Sequence, residues 1–415
     1  MSEALKKHAM WLVLLAAAGT FALTMGTRQT MGLFLADVNK STGLGIADIS
    51  LAFAFGQLWW GLTQPFAGAF ADRIGAGRVL VIGVCLVALG TVLTPMMTST
   101  VGLIFAIGVL AAGGAGMAGP SVLMAATTRL LPPEKRGMAT GIVNAGGSFG
   151  QFVLAPVAVG LTALLGWMGS MQTLGLIVLL ALPAAWVLKG NSNAVASVTG
   201  TANAEGVRVP VPRLSAGAAI KQAMNDRSFL LLGAGFFVCG FHVAFLGTHL
   251  PNVVAMCGLP PSISAWSLGL LGLFNIFGSL GMGWAVGRWR MKTLLSLVYA
   301  ARAVAVMIFL ASPKTATVML IFAAVMGLTF LSTVPPTAGL VAKFFGPANM
   351  ATLFGIVMLS HQVGGFLGAW LGGKVFTMTG SYDTIWMIDI ALAIGAALIH
   401  MPIREAPLAL KVQAA

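Results

Sequence analysis

The chain has 415 residues, of which 58% are hydrophobic and only 8% are charged, and its formal net charge is +13. Soluble domains carry about a quarter charged residues, so this composition excludes a soluble globular protein and indicates one embedded in a membrane. The three cysteines, Cys85, Cys239 and Cys257, fall in or beside apolar runs. That placement provides neither a disulfide framework nor a zinc-binding spacing.

The placement of the basic residues explains the positive net charge. If the N-terminus is cytoplasmic, 18 of the 23 Lys and Arg residues lie on the cytoplasmic side and three lie outside, at Lys40, Lys314 and Lys374. This is the positive-inside bias of a membrane protein with an even number of spans and both termini in the cytoplasm. The positive charge therefore indicates topology. The expected surroundings of the chain are membrane lipid, and no nucleic-acid partner is expected.

Apolar segments long enough to cross a bilayer recur along the whole chain. The first begins at Ala9 and is too long for a signal peptide, and it lacks a small-x-small cleavage site, so it is predicted to be a retained span. The pattern predicts an all-α membrane protein with twelve transmembrane helices. Their approximate limits are 9–36, 46–71, 78–97, 101–130, 138–164, 167–188, 228–256, 262–287, 292–311, 315–344, 350–377 and 383–403.

A polar segment divides the twelve spans into two groups of six. Residues 189–227 are polar and rich in small residues, which predicts a cytoplasmic linker between a bundle at 1–188 and a bundle at 228–415. The bundles repeat in sequence, because Gly141-Ile-Val in the fifth span recurs as Gly355-Ile-Val in the eleventh, 214 residues later. Six-plus-six repeats with a binding site at the midplane between them are a transporter architecture.

Arg28 is a permanent charge inside the first span, in the sequence Gly26-Thr27-Arg28-Gln29. It lies about 18 residues beyond Met10, or roughly 27 Å along a helix, between the midplane and the outer boundary of the bilayer. A guanidinium at that depth normally faces a watery cavity or an anion, so Arg28 is predicted to bind a substrate carboxylate. The alternative is an arginine that reaches the outer headgroups or caps carbonyls of a neighbouring helix.

The connection between the second and third spans carries a glycine-rich and basic motif. It reads Gly68-Ala-Phe-Ala-Asp72-Arg73-Ile-Gly75-Ala-Gly77-Arg78. This run resembles the signature loop of the major facilitator superfamily, and its copy after the eighth span has Gly287 in place of the acid. The resemblance implies that Gly68, Asp72, Arg73 and Arg78 take part in conformational gating. The alternative is a tight turn with cytoplasmic positive charges.

Within that superfamily, the chain resembles bacterial members of the monocarboxylate porter branch, which includes oxalate and lactate carriers. The branch resemblance rests on Gly26-Thr27-Arg28-Gln29, on Gly32-Leu-Phe after it, and on two arginines in acid-poor spans. Carriers of this branch commonly place an Asp and an Arg in the eighth helix, where this chain has Asn275 and no charge. The resemblance implies transport without a cofactor and without enzymatic activity.

Polar residues in the fifth and eleventh spans are further candidates for the substrate cavity. Asn144, Ser148 and Gln151 stand at i, i+4 and i+7, so they share one helical face. Stacked polar groups in lipid need partners, so this face is predicted to line a cavity or to bind a neighbouring helix. In the eleventh span His361 and Gln362 are adjacent, and Gln362 aligns with Ser148 in the repeat, which favours the cavity face.

The seventh span carries two histidines, His242 and His249. His242 is the repeat counterpart of Arg28, at an offset of 214, and the two are expected to face each other across a pseudo-two-fold axis. Histidine changes charge near neutral pH, so both residues are candidates for proton coupling, and His242 is also a candidate substrate donor. The alternative is that each is a packing residue with its hydrogen bonds satisfied.

Two more ionisable residues lie inside apolar runs of the second half. Arg302 is ten residues into the ninth span and Asp389 is in the twelfth. Arg302 is a candidate substrate ligand, or else an arginine paired with polar groups of its own half. Asp389 is its possible partner and a candidate proton carrier.

These observations predict a secondary transporter of a small organic anion, a monocarboxylate, that works as a monomer in the bacterial inner membrane. A proton is the predicted co-substrate, because moving an anion against a negative-inside potential costs about 2.3 kcal/mol per charge per 100 mV. An organic anion exchanger is the main alternative. A proton-driven exporter of hydrophobic drugs is a third, although buried arginines suit cationic drugs badly.

Overall fold

The computed structural model describes residues 3–130, 136–189, 216–345 and 350–407, and every regular element in these ranges is helical. The first repeat contains six spanning helices in chain order. The first three are Glu3–Thr30, Ile46–Ile74 and Ala76–Leu93, and the fourth runs in segments Thr100–Leu103, Ile104–Ala112, Gly113–Met117 and Pro120–Leu130. The fifth and sixth share Arg136–Val178, which bends at Gly166 (φ 71°), and the sixth continues to Leu182–Val187.

The second repeat follows a short helix, Ala216–Met224, and has the same number of spanning helices. The tenth of them is interrupted, and the other five are continuous. The seventh to twelfth helices are Arg227–Met256, Pro261–Val286, Met291–Ala311, Ala316–Thr329 with Val334–Phe345, Met350–Thr379 and Asp383–His400.

The predicted fold class is confirmed. Ten helical stretches of the described chain are long and apolar enough to cross a membrane. One of these, Ala139–Val187, bends at Gly166 and makes two crossings, and the 29-residue helix Ile46–Ile74 is long enough for another, which brings the total to twelve. Most of the predicted linker at 189–227 lies outside the described residues, so the division of the chain at that point stays a prediction.

The interruption of the tenth helix has a local cause in the sequence. Its first segment ends at Thr329 and the second begins at Val334, directly before Pro335 and Pro336. A proline has no N–H to donate and disfavours helical geometry in the residue before it, so the helix cannot run through this stretch unbroken. The break leaves main-chain carbonyls without helical partners inside the second repeat.

The largest clusters of buried apolar side chains each belong almost wholly to one half of the chain, and one close helix contact recurs in both halves. One cluster of buried side chains contains residues 223–403 with only Ala155 from outside that range, and a second contains residues 17–188. A Cβ on Gly150 would overlap the Ala22 carbonyl, and a Cβ on Gly364 would overlap the Phe237 carbonyl. Only glycine permits such close helix packing, and the two contacts repeat at offsets of 214 and 215.

The two repeats touch mainly along the second and eleventh helices and along the fifth and eighth helices, and Gly32, just after the first helix, also lies against the Gly247 carbonyl of the seventh. Gly61 on the second helix lies against Gln362, yet Gly68, two turns further along the same face, has nothing within 4 Å of an added Cβ. On the fifth helix Ser148 contacts Gly272, but Gly141, seven residues earlier, also faces open space. The repeats therefore meet at the end away from the chain termini, which we name the closed end, and separate towards the termini, at what we name the open end.

Candidate functional site

Arg28 lies where the two repeats meet, in the last turn of the first helix. Its Nη2 donates to Oε1 of Gln57 on the second helix. Nε2 of Gln57 in turn donates to Oε1 of Gln362 on the eleventh helix, at 2.8 Å. The structure thus joins a permanent charge of the first repeat to the second repeat through one buried amide.

The two glutamines are held by reciprocal contacts with glycines of the opposite helix. A Cβ on Gly365 would overlap the side chain of Gln57, and a Cβ on Gly61 would overlap the side chain of Gln362. Gln57 is 9% exposed and Gln362 is fully buried. Because the second helix contacts nothing at Gly68, this pair stands at the inner limit of the closed end and forms the floor of the space between the repeats.

The surroundings of Arg28 supply hydrogen-bond donors and no acid. The guanidinium carbon lies 4.9 Å from the ring centre of Trp60. Trp60 Nε1 and Gln362 Nε2 are buried and have no hydrogen-bond partner among the described residues. The ion pairs found in the described ranges join His242 to Asp389 and Lys343 to Glu405, so Arg28 has no carboxylate partner there. A positive charge with unpaired donors around it is suited to an anion.

Three threonines of the first helix precede Arg28 on nearly the same helical face, and two of them are already hydrogen-bonded within the helix. Thr20 donates to Ala16 O at 2.8 Å, and Thr24 donates to Thr20 O at 3.0 Å, so both hydroxyls bond within their own helix. Thr27 Oγ1 is buried without a partner in the described part of the chain. Only this last threonine, next to Arg28, offers an unused hydroxyl.

The fifth helix forms the second polar contact between the repeats. Asn275 on the eighth helix donates from Nδ2 to Ser148 Oγ at 2.8 Å, and its Oδ1 accepts from the Leu331 main chain at 3.0 Å. Gln151 is 2% exposed, and its Nε2 lacks a partner among the described residues. Asn144 is exposed and lies one helical turn from Ser148 towards the open end. The predicted polar face therefore runs from the contact between repeats into the space where they separate.

Arg302 and His242 lie in a buried polar cluster of the second repeat, with partners in that repeat rather than across the interface. Arg302 Nη1 lies 3.5 Å from His242 Nδ1, and His242 Nε2 lies 3.1 Å from Asp389 Oδ1. All three side chains are 1% exposed. A guanidinium only donates, so His242 Nδ1 accepts and the imidazole proton is at Nε2, facing Asp389.

Arg302 also donates hydrogen bonds to main-chain carbonyls that the break in the tenth helix leaves without helical partners. Its Nη2 donates to Phe330 O at 2.7 Å and to the Thr329 carbonyl. These oxygens lie at the end of the first helical segment, where carbonyls lack helical partners and the helix dipole favours a cation. The structure does not bring Arg302 together with Arg28, and its predicted role in substrate binding stays a prediction from the sequence.

The other two candidate histidines, His249 and His361, differ in whether their ring nitrogens have hydrogen-bond partners. His249 Nε2 donates to Ala369 O at 2.7 Å, and its Nδ1 lies 3.1 Å from the Tyr382 hydroxyl, so both ring nitrogens are used. His361 is 4% exposed and packs against Phe236, with ring centres 4.8 Å apart. Neither nitrogen of His361 has a partner in the described ranges.

The glycine-rich motif forms a tight turn at the open end of the molecule. The second helix ends at Ile74, Gly75 adopts φ 92°, and the third helix begins at Ala76. That backbone conformation favours glycine. Arg73 and Arg78 are exposed, and the side chain of Asp72 lies outside the described residues. The gating role of this motif stays a prediction.

Sequence reasoning missed Gln57 and Trp60 and gave Asn275 no role. A glutamine inside an apolar span is itself a signal for a partner or a cavity, and Gln57 precedes Gly61 by one turn. Asn275 is the repeat counterpart of Gly61, at an offset of 214. Gln57 and Asn275 both contact the opposite repeat; their residue types mark them as candidates, but the contacts themselves are visible only in the structure.

Comparisons with known proteins identify the family. A model of the Major Facilitator Superfamily matches residues 16–369. Monocarboxylate transporter 13 of Rattus norvegicus is 23% identical over 396 residues, covering 94% of this chain and 89% of that protein. The oxalate:formate antiporter of Oxalobacter formigenes is 23% identical over 393 residues, covering 91% and 87%. A solved mutant of the nucleoside transporter NupG superposes with a TM-score of 0.76 at 15% identity, covering 95% of this chain and 99% of that one.

The structural likeness shows the shared fold alone, whereas the family match extends over most of the sequence. The similar proteins found in sequence carry the names of transporters of small molecules. This chain therefore belongs to the Major Facilitator Superfamily and is a membrane transporter, not an enzyme.

Proposed function

We propose that the protein moves a small monocarboxylate across a bacterial inner membrane by alternating access, with Arg28 holding the carboxylate. The observation that carries the proposal is the Arg28 guanidinium at the floor of the space between the repeats, which is hydrogen-bonded to a neutral amide and has no acid partner in the described chain. A fixed positive charge out of bulk water requires an anion or a strong dipole beside it. Relatives named monocarboxylate transporter and oxalate:formate antiporter support the same class of substrate.

The donors around Arg28 support a single carboxylate as the recognised group. A guanidinium binds a carboxylate through two parallel hydrogen bonds, and Trp60 Nε1 and Gln362 Nε2 are unpaired donors nearby. Gln151 and Asn144 lie further along the space and are proposed contacts for the remainder of the substrate. One permanent charge favours one carboxylate, because a second carboxylate would need another cation to offset its desolvation.

The shape of the interface supports alternating access. The repeats meet at the closed end and separate at the end bearing the termini, so a ligand at Arg28 would be reached from one side only. Rocking the repeats about this region would open the other side. In our proposal both termini are cytoplasmic, the protein acts as a monomer, and the state described is open to the cytoplasm.

Proton coupling is the proposed energy source, with the cluster containing His242 and Asp389 as its site. The alternative is exchange of one organic anion for another, which needs no proton site and is supported by the relative named as an antiporter. Export of hydrophobic drugs has less support, because the site offers a cation without an acid partner and unused hydrogen-bond donors instead of an apolar surface with an acid.

A ligand screen tests the class of substrate. Purified protein would be heated with acetate, pyruvate, oxalate, a neutral nucleoside and a lipophilic cation, and the unfolding temperature of each sample measured. A ligand that binds only the folded state raises that temperature with its concentration. We expect stabilisation by acetate or pyruvate. Stabilisation by the lipophilic cation alone would replace this proposal with drug export.

A further inference from the structure

We infer that the Gln57 amide is a displaceable occupant of the anion site, and that its displacement by a substrate carboxylate releases the contact between the repeats. The inference rests on the proposed function, because it takes Arg28 as the residue that binds the anion. It adds a positioning residue that couples occupancy of the site to movement of the two repeats.

The first observation is the place that Gln57 occupies. Its Oε1 accepts a hydrogen bond from Arg28 Nη2. A bound carboxylate would need the same Nη2 as a donor. A neutral amide offers the guanidinium one oxygen, whereas a carboxylate offers two and carries a negative charge. Charge-assisted, two-point hydrogen bonds are roughly twice as strong as neutral ones, so a carboxylate would outcompete the amide.

The second observation is that the same amide holds the opposite repeat. Gln57 Nε2 donates to Gln362 Oε1 at 2.8 Å, and the side chain is seated on Gly365. An amide is one rigid plane, so its oxygen and nitrogen cannot be moved independently. Taking Oε1 away from Arg28 while Nε2 stays on Gln362 would leave a buried acceptor without a partner, so the whole amide is expected to leave both neighbours.

The third observation is where this contact stands. Gln57 and Gln362 lie at the inner limit of the closed end, and beyond them the second helix meets nothing at Gly68. The remaining contacts of this helix pair, such as Ser50 against Gly373, lie further towards the closed end. Release of Gln57 would therefore loosen the closed end from its inner edge outwards. In the empty carrier this contact favours the closed state of that end, and a bound anion shifts the population towards the open state.

Paired spin labels test whether Gln57 holds the closed end together when no substrate is present. In protein whose native cysteines are replaced, Ser41→Cys and Thr379→Cys place one label on each repeat at the closed end; both residues are exposed. We expect Gln57→Leu to increase the population of long distances without added anion. Gln64→Leu is the matched control, because it removes the same group two turns along the same face, and Gln64 has no side-chain hydrogen bond to the described residues. A Gln57→Leu distribution equal to wild type would overturn the inference.

The second test measures the affinity of wild type and of Gln57 variants for acetate, pyruvate and oxalate. Gln57→Glu supplies a permanent internal anion to Arg28, so we expect every acid that binds wild type to bind at least about tenfold more weakly. Gln57→Leu removes the competitor, so we expect affinity equal to wild type or higher. Loss of binding in Gln57→Leu would make Gln57 a direct substrate ligand and overturn the displacement. Failure of the proposed function has a different signature, because wild type would then bind none of the acids whatever the labels report.

Discussion

His242 Nε2 lies 3.1 Å from Oδ1 of Asp389, inside the second repeat, with Arg302 on the other side of the imidazole. Protonating His242 Nδ1 would break its contact with Arg302 and place two positive charges side by side. Asp389 can gain a proton without either penalty. We therefore expect any exchangeable proton of this cluster to sit on the carboxylate, with His242 as a neutral bridge.

The first prediction concerns proton coupling. Asp389→Asn removes the titrating group, so uptake by this variant in proteoliposomes should lose most of its stimulation as the outside is acidified. His242→Gln should reduce the stimulation less, and His249→Gln should preserve it, because both nitrogens of His249 are already bonded. Equal acid stimulation in wild type and Asp389→Asn would favour the exchanger, or protonation of the substrate itself.

The second prediction concerns Arg302 and the break in the tenth helix. Arg302→Gln leaves the carbonyls of Thr329 and Phe330 without their cation and removes the guanidinium from beside His242. Breaking a buried charge network of this kind costs about 3–5 kcal/mol, so the unfolding temperature should fall steeply. Arg288→Gln removes an exposed arginine and should leave that temperature nearly unchanged. A stable Arg302→Gln protein that no longer binds anions would instead make Arg302 a substrate ligand.

The third prediction concerns the glycine-rich loop. Asp72→Asn should slow transport about tenfold while leaving the anion dissociation constant nearly intact, because a gating residue changes the balance of conformers and not the contacts of the ligand. Asp48→Asn, at the other end of the same helix, is the matched control. Transport at the wild-type rate in Asp72→Asn would show that the loop is only a turn.

The fourth prediction uses two glycines on one face of the second helix. Gly61→Ala would overlap Cγ of Gln362, whereas Gly68→Ala meets nothing within 4 Å. Gly61→Ala should therefore open the closed end and speed the labelling of a reporter cysteine at Ser50, which is fully buried there. Gly68→Ala should not. Alanine favours helix over glycine by about 1 kcal/mol, so faster labelling cannot come from a weaker helix. Equal labelling rates in both variants would contradict the described interface.

Much of the fold followed from the sequence, because apolar length and the internal repeat are properties of the chain alone. The fold class and the twelve crossings are confirmed. The interruption of the tenth helix was not predicted, although Pro335 and Pro336 mark it. Its partner Arg302, about 30 residues earlier in sequence, is revealed only by the packing of the ninth helix against the tenth.

The site was harder to predict, because it is made by helices that are distant in sequence. Arg28 and Gln362 were candidates on their own chemistry, but the amide that joins them, Gln57, became visible only through the contact between repeats. The repeat offset pointed to His242 as the partner of Arg28. A short imidazole instead reaches Arg302 and Asp389 within its own repeat, and sequence symmetry does not determine that choice.

The central claim is that Arg28 holds the substrate carboxylate, and calorimetric titration of two variants tests it most directly. Arg28→Lys keeps the charge and loses the two-point geometry, so it should bind the best acid of the screen weakly, by about tenfold or more. Arg28→Gln has neither the charge nor the two parallel N–H donors of a guanidinium. It should therefore show no measurable binding, while unfolding cooperatively like wild type. Wild-type affinity in Arg28→Gln would contradict the account and leave Arg28 as a residue that only packs the repeats together.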